Sequence, residues 1–286
     1  MPTRNLSTIT QDFQSLWDNA VAPCSEDLKV FCDNVGAAIT SSFLDQNKER
    51  TVLRMSSIGK PFRQLWYETH YPEMNEENRN EYSLMIKFLY GHILEELLVL
   101  LLKTSGHSVE EQQKEHDIDG VKGHQDARVD GVLVDFKSAS GRSFAKFKNQ
   151  RLVEDDPFGY VGQISAYASA NNDKEAAFIV IDKQSGEVTV MPIHSLEMID
   201  PEERIQKLKD ALEKDVPPDK CYSSVTDGQS GNLKLNSNCS WCRFKFDCWA
   251  DANDGKGLRG FKYANGIRYL TQVRKVPNVE ELTPSF

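Results

Sequence analysis

The sequence predicts an α/β fold, and three observations carry that prediction. A long apolar helical stretch, residues 79–105, precedes a set of strand-like segments. Among these is GHQDARVDGVLVDFK, residues 123–137, in which Gly131–Lys137 alternates and Asp130-Gly131 is a strong turn dipeptide. A second helical stretch, Gly159–Ala170, then leads into AAFIVIDK, a short apolar run bounded by charge. The resulting order, helix, strand, strand, strand, helix, strand, is that of an α/β protein.

The bulk numbers agree with a soluble globular chain. It has 286 residues, 39% hydrophobic and 27% charged, enough for one large domain or a core with an appendage. Its longest apolar run, Leu97–Leu102, is far too short to cross a bilayer. The opening MPTRNLSTITQDF has no apolar signal region, so a cytoplasmic location is expected, the host cytoplasm if the chain is phage-encoded. A net charge of -9 disfavours nonspecific coating of nucleic acid but leaves room for local basic stripes. One such stripe is Lys137, Arg142, Lys146, Lys148 and Arg151, interleaved with Phe144 and Phe147. A second runs through the tail as Arg243, Lys245, Lys256, Arg259, Lys262, Arg268, Arg274 and Lys275.

Taken in order, residues 1–50 read as a helical appendage, with Ser25-Glu26-Asp27 opening a helix through Leu28, Phe31, Val35 and Ile39. Residues 51–215 form the expected core and 216–286 a cysteine module with a tail. In residues 51–71, Ser56 or Ser57 is placed to N-cap a helix with Pro61 in its first turn. Ser56, Ser57, Lys60, Arg63, Trp66 and Tyr67 suit a phosphate backbone and a stacked base; a capped helix around a core tryptophan fits the same residues. Arg142, Lys146 and Lys148 extend this expected DNA-binding set, on a stretch read as a loop.

The helix at 79–105 is apolar on most sides and is expected to be largely buried. Gly91 would admit another element closely, and Glu95 lies one turn further on. A buried carboxylate needs a partner or a metal; on a solvated edge Glu95 and Glu96 need neither. A strand starting at Val109–Glu115 follows the helix. Further on, Gln163 and Tyr167 are i and i+4 on one helical face. Ser185-Gly186 turns AAFIVIDK into a second strand, EVTVMPI. Residues 195–214 make an amphipathic helix with Pro201 near its start, and Val216-Pro217-Pro218 breaks the chain before the cysteine module.

The chemistry concentrates in GHQDARVDGVLVDFK. On a strand, Asp135 and Lys137 project to one face with Phe136 behind them. The Asp130-Gly131 turn sets Asp126 opposite Asp135. Two carboxylates and an ammonium on one surface suit an oxygen-ligated Mg²⁺ or Mn²⁺, with a cation left for a phosphate or an attacking water. A surface hairpin carrying ion pairs is the plain alternative for these residues taken alone.

Gly91-x-x-x-Glu95, Gly123-His124-x-Asp126, Asp135-x-Lys137 and Gln163-x-x-x-Tyr167, in that order, resemble the PD-(D/E)xK nuclease superfamily. Within it they resemble the RecB-like branch of phage-type exonucleases and CRISPR-associated iron–sulfur nucleases, over residues 52–250. The resemblance implies a restriction-endonuclease-like mixed β-sheet core flanked by helices. It implies Glu95, Asp126, Asp135, Lys137, Gln163 and Tyr167 as catalytic residues. Glu95, Asp126, Asp135 and the Phe136 carbonyl would hold one or two Mg²⁺ or Mn²⁺ ions. Lys137 would orient or deprotonate the attacking water and offset the charge that builds on the phosphate, and Gln163 and Tyr167 would position the DNA backbone and Lys137. Glu95 stands where relatives often have His, and Asp135 where many have Glu. His124 reads as a structural residue beside Asp126.

Cys239-x2-Cys242-x5-Cys248 resembles the triad that holds a [4Fe-4S] cluster in those relatives. Their fourth cysteine lies upstream, near the position of Lys60-Pro61-Phe62-Arg63, which has none; Cys221 is the replacement. Four thiolates also suit tetrahedral Zn²⁺. Cys24 and Cys32 read as plain thiols. The expected activity is therefore that of a metal-dependent deoxyribonuclease acting on single-stranded DNA or duplex ends. By analogy with relatives it is an exonuclease of 5′→3′ polarity in phage-type recombination or degradation. A structure-specific endonuclease, or a non-catalytic DNA-binding protein on the same core, is the alternative. No membrane partner is expected, and a recombination or single-strand-binding partner is left open.

Overall fold

The computed structural model describes residues 4–44, 52–72 and 82–282. The expected helix start at 79–81 and the end of the N-terminal appendage at 45–50 lie outside them. The chain divides into two compact units, Met1–Lys60 with Tyr71–Asp210, and Pro61–His70 with Ala211–Phe286.

In chain order the first unit begins with α1 (Ile9–Asp18) and α2 (Ser25–Leu44). Helix α3 (Phe62–His70) goes with the second unit. The first unit resumes with α4 (Tyr82–Thr104), β1 (Val109–Glu110), β2 (Glu115–Ile118), β3 (Val121–His124), β4 (Ala127–Val129) and β5 (Val132–Ala139). It continues through α5 (Gly141–Lys148), α6 (Tyr160–Asn171), β6 (Glu175–Asp182), β7 (Val188–His194) and α7 (Pro201–Leu212). Its sheet is mixed, in the order β1-β4-β5-β6-β7. Only the β5–β6 pair is parallel, and α5 and α6 make the crossover that a parallel pair requires. The hairpin β2–β3 stands apart as a two-stranded ribbon.

Alternation along β5 sorts its side chains. Val134 and Phe136 join Ala177, Ile179 and Ile181 of β6 in a core closed by Ile9 and Phe13 of α1 and Leu98, Val99 and Leu102 of α4. Asp135 and Lys137 therefore point to the opposite face. There Phe178 of β6 meets Phe147 of α5 edge-on, with ring centroids 5.5 Å apart. The hairpin turn is as the sequence predicts: Asp130 and Gly131 both have positive φ, 51° and 82°, the left-handed pair that a two-residue turn needs.

Three expectations change. The basic stripe is not a loop but helix α5, because Phe144 and Phe147, three apart, bury on one side and leave Arg142, Lys146 and Lys148 on the other. Helix α4 is buried only toward its C-terminal end, at Leu98, Val99, Leu100 and Leu102. Its N-terminal half exposes Tyr82, Ile86, Phe88 and Tyr90, because only the last turns cross the sheet. Gly91 faces open space, so it admits no close neighbour. Gly106, with φ +84°, then ends the helix in the left-handed conformation usual after a C-terminus.

The second unit holds α3, β8 (Val225–Thr226), β9 (Leu233–Lys234), α8 (Ser237–Ser240), α9 (Lys245–Cys248), α10 (Ala252–Gly255), β10 (Arg259–Tyr263), β11 (Gly266–Gln272) and β12 (Glu281–Leu282). Its five strands form an antiparallel sheet in the order β12-β10-β11-β9-β8. The stretch between Cys221 and Cys239 contributes two of them, β8 and β9. A small core of Leu235, Cys239, Trp249, Ala252 and Leu258 supports the sheet. No helix among the described residues is long and apolar enough to cross a membrane.

Candidate active site

Asp126 immediately precedes β4, whose register sets Ala127 opposite Val134. That pairing carries the Asp126 carboxylate to β5, where its Oδ2 accepts the Phe136 N–H at 2.7 Å. Asp126 is thereby fixed beside both Asp135 and Lys137. Asp135 is 1% exposed, and its Oδ1 has no hydrogen-bond partner among the described residues. Its charge is met by the Lys137 ammonium, which lies against Oδ2.

Glu95 approaches from α4 and is held by Gln113, whose amide donates to Oε1 at 2.9 Å. Gln113 is tied in turn to the site, because its N–H donates to the Asp126 carbonyl. Glu96 turns elsewhere and accepts from Asn34 of α2 at 2.9 Å, so the two glutamates are distinguished. Behind Asp126, the fully buried Gln125 accepts from Asn171 of α6 at 2.8 Å and pairs with His116 of β2.

The electrostatics follow from this crowding. Burial, then the neighbouring charges of Glu96 and Asp135, push the Glu95 carboxyl up to about 7. Burial and the Asp135 charge hold Asp126 well above the usual carboxylate range. Burial also raises Asp135, against the pull of Lys137. For Lys137 burial acts downward, but Asp135 and Asp126 outweigh it and keep the ammonium charged.

Helix α6 supplies the wall. Gln163 and Tyr167 share a face as expected, and Gln163 hydrogen-bonds the Tyr167 hydroxyl. Burial raises the Tyr167 hydroxyl's pKa, so it stays a neutral donor. Gly123 makes room for it: a Cβ there would lie 2.8 Å from the Tyr167 hydroxyl and 2.6 Å from the Met55 Cβ. Tyr160, one turn before Gln163, also borders the site, although it belongs to none of the sequence motifs. Its ring lies 5.1 Å from the Lys137 ammonium. The spacing Tyr160, Gln163, Tyr167, one helical face, was the signal available for it. His124 is exposed on β3 opposite Glu115.

The expected DNA-binding residues are divided between the two units, Arg63, Trp66 and Tyr67 in the second and the others in the first. Ser57 is buried and its hydroxyl is used within its own turn, donating toward Val52 and Arg54 carbonyls and accepting the Arg54 N–H. Ser56 and Ser57 sit in a short 3₁₀ turn, Met55–Ser57, rather than at the start of α3. Trp66 and Tyr67 are 4% and 6% exposed, core residues of the second unit; the Trp66 indole donates to the Lys214 carbonyl. Their rings therefore have no free face for a base. Lys146 pairs with Asp155 and Lys148 with Glu187.

In the second unit Cys221, Cys239, Cys242 and Cys248 line one small cavity of about 30 Å³ with Arg63, Gln64 and Tyr67. The Arg63 Nε donates to the Cys248 sulfur at 3.1 Å. Burial, then the charges of Cys221, Cys248 and Cys242, push the Cys239 thiol up to about 12. Cys24 and Cys32 are exposed free thiols. Among the described residues no three His, Cys, Asp or Glu side chains stand as a ready ligand set for a metal ion. At the carboxylates, Lys137 fills the place beside Asp135.

No family model and no curated protein matches the chain. Among solved structures it is similar to the crystal structure of SSO0001 at 15% identity, with a TM-score of 0.41, over 75% of this chain and 94% of that one. It is also similar to LHK-Exo in complex with dAMP at 14% identity, with a TM-score of 0.31, over 56% of this chain and 93% of that one.

The site geometry brings three carboxylates with raised proton affinity, one ammonium and a neutral tyrosine within electrostatic range of one another. Carboxylates so crowded are poised to bind a cation in place of protons. Asp135 offers two buried oxygens, of which Oδ2 is met by the Lys137 ammonium and Oδ1 has no partner among the described residues. The donor set is all oxygen, which fits Mg²⁺ or Mn²⁺ rather than a soft metal.

Proposed function

We propose that the chain is a Mg²⁺- or Mn²⁺-dependent deoxyribonuclease, an exonuclease that hydrolyses DNA 5′→3′ in phage-type recombination or degradation in the cytoplasm. The observation that carries the reading is the Phe136 N–H to Asp126 contact, which holds one carboxylate beside the Asp135–Lys137 pair with Glu95 in electrostatic range. Glu95, Asp126, Asp135 and the Phe136 carbonyl would hold the ion. A bound divalent ion supplies Lewis acidity at the phosphodiester and a more acidic water. Lys137, released from Asp135, directs its ammonium to the phosphate oxygens and offsets the charge that builds there. Tyr167, kept neutral and braced by Gln163, donates toward the backbone.

In the same reading the four cysteines hold a structural [4Fe-4S] cluster, with Zn²⁺ as the alternative; four thiols around one cavity have the right donor chemistry for either. The decisive experiment is digestion of end-labelled linear single- and double-stranded DNA beside a covalently closed circle, with and without Mg²⁺. Linear DNA is expected to shorten from the 5′ end while the circle survives. A nicked circle would replace the exonuclease with an endonuclease, and intact DNA in every lane would end the nuclease reading.

A further inference from the structure

The loop between α5 and α6 contains an aromatic side chain that packing does not explain. Phe158 is 57% exposed, yet it is stacked on Tyr160 with ring centroids 5.5 Å apart and planes 24° from parallel. Tyr160 lies in turn 6.0 Å from Phe147, which is buried in the core. The three rings run outward from the core to the surface. The middle ring is the one beside the Lys137 ammonium. One face of Phe158 is thus backed by the ring that borders Lys137, while more than half of Phe158 stays exposed.

The loop holds that ring in place rather than letting it collapse. Asp156 accepts the Gly159 N–H at 2.9 Å and the Val161 N–H at 2.8 Å, closing the start of α6. Lys146 reaches back to the Asp155 carbonyl at 2.9 Å. Gly159 has φ +77° and lies against Gly59, where a Cβ would come within 2.2 Å of backbone. Phe158 is therefore fixed between a capped helix and a backbone contact.

Resting on the nuclease reading above, we propose that Phe158 and Tyr160 form a stacking platform for an unpaired base of the DNA substrate. The base would lie on the open face of Phe158 while its phosphate addresses Lys137 and the carboxylates. An aromatic face takes any base, so the platform selects for an unstacked strand and not for sequence. A base inside a duplex cannot reach it, so the substrate here is single-stranded DNA or a frayed end.

The test uses the full chain with Ca²⁺ as an oxygen-ligated ion. The probes are single-stranded oligonucleotides carrying 2-aminopurine at one terminal-proximal position at a time, and the same oligonucleotides abasic there. Wild type is expected to quench one position. Phe158→Ala should lose that quench and weaken binding roughly tenfold to a hundredfold, and Phe158→Trp should restore both. The abasic oligonucleotide should bind wild type and Phe158→Ala alike. Unchanged affinity and quench in Phe158→Ala, in a protein that still cleaves the oligonucleotide with Mg²⁺, overturns the platform alone. Wild type that neither binds nor cleaves overturns the platform and the nuclease reading together.

Discussion

The Phe136 N–H donates to Asp126 Oδ2 at 2.7 Å, so the backbone of one strand holds the carboxylate at the start of the other. An asparagine at 126 can still accept that bond through its side-chain oxygen while removing one of the crowded charges. Asp126→Asn is therefore expected to keep the hairpin and to raise Tm of the metal-free protein at pH 8 by a few degrees. Mg²⁺-dependent cleavage should fall by roughly a hundredfold or more, the scale of losing one electrostatic group at a reacting centre. Calorimetry beside a cleavage assay checks both. A lower Tm would mean that the charge at 126 stabilises the fold, contrary to the crowding described above.

Glu95, raised to about 7, sets a pH dependence with a definite sign. Its folded pKa lies above the ordinary carboxylate value, so the native state holds a proton that the unfolded chain has lost. Stability therefore declines as pH rises from the ordinary carboxylate range through about 7. Asp126 and Asp135 are shifted the same way and add to the decline. Metal-free protein should melt lower at pH 8 than at pH 5.5. Mn²⁺ should raise Tm at pH 8 and much less at pH 5.5, where protons compete for the same oxygens. A Tm that Mn²⁺ leaves unmoved at pH 8 would argue against the carboxylates as ligands.

Gly123 is small because two groups occupy its would-be Cβ. Alanine there meets the Met55 Cβ at 2.6 Å and the Tyr167 hydroxyl at 2.8 Å. Gly123→Ala is expected to cost about 1–3 kcal/mol, the usual penalty of overpacking, and to displace Tyr167 from the site. Gly120→Ala is the useful contrast. That glycine has open space around it but φ +79°, so it costs stability through backbone strain without touching Tyr167. Cleavage should fall in the first variant and hold in the second.

The parts of this architecture that sequence made legible are those set by local geometry. The Asp130-Gly131 turn, the alternation of β5 and the i, i+4 pair Gln163 and Tyr167 each depend on a few adjacent residues. What escaped depends on distant ones. The strands β9 and β12 are two residues long, too short to show a period, and pair with β11 and β10 far along the chain. Trp66 and Tyr67 carry the same side chains whether they stack a base or fill a core, and only their neighbours decide it. Helix α4 is apolar on most sides along its whole length, yet its position relative to the sheet leaves half of it exposed. Tyr160 was within reach of spacing alone, but its meaning comes from Lys137, on another element.

Cysteine chemistry separates the six thiols into two classes. Cys221, Cys239, Cys242 and Cys248 surround one cavity, whereas Cys24 and Cys32 are exposed on or beside α2. Protein purified without oxygen is expected to carry bound metal that Cys239→Ser removes and that Cys24→Ser and Cys32→Ser leave in place. Elemental analysis for iron, sulfide and zinc reads this directly, and a brown protein with stoichiometric sulfide decides for the cluster over Zn²⁺. Because Cys239 also belongs to the small core of its unit with Leu235 and Trp249, its replacement should lower Tm as well. Arg63→Gln gives the control for that ambiguity. It leaves every sulfur in place but withdraws the Nε–H from Cys248, so metal should be retained while its absorption spectrum shifts. Metal content that ignores Cys239 would remove the four-cysteine site from the account, with the carboxylate site unaffected.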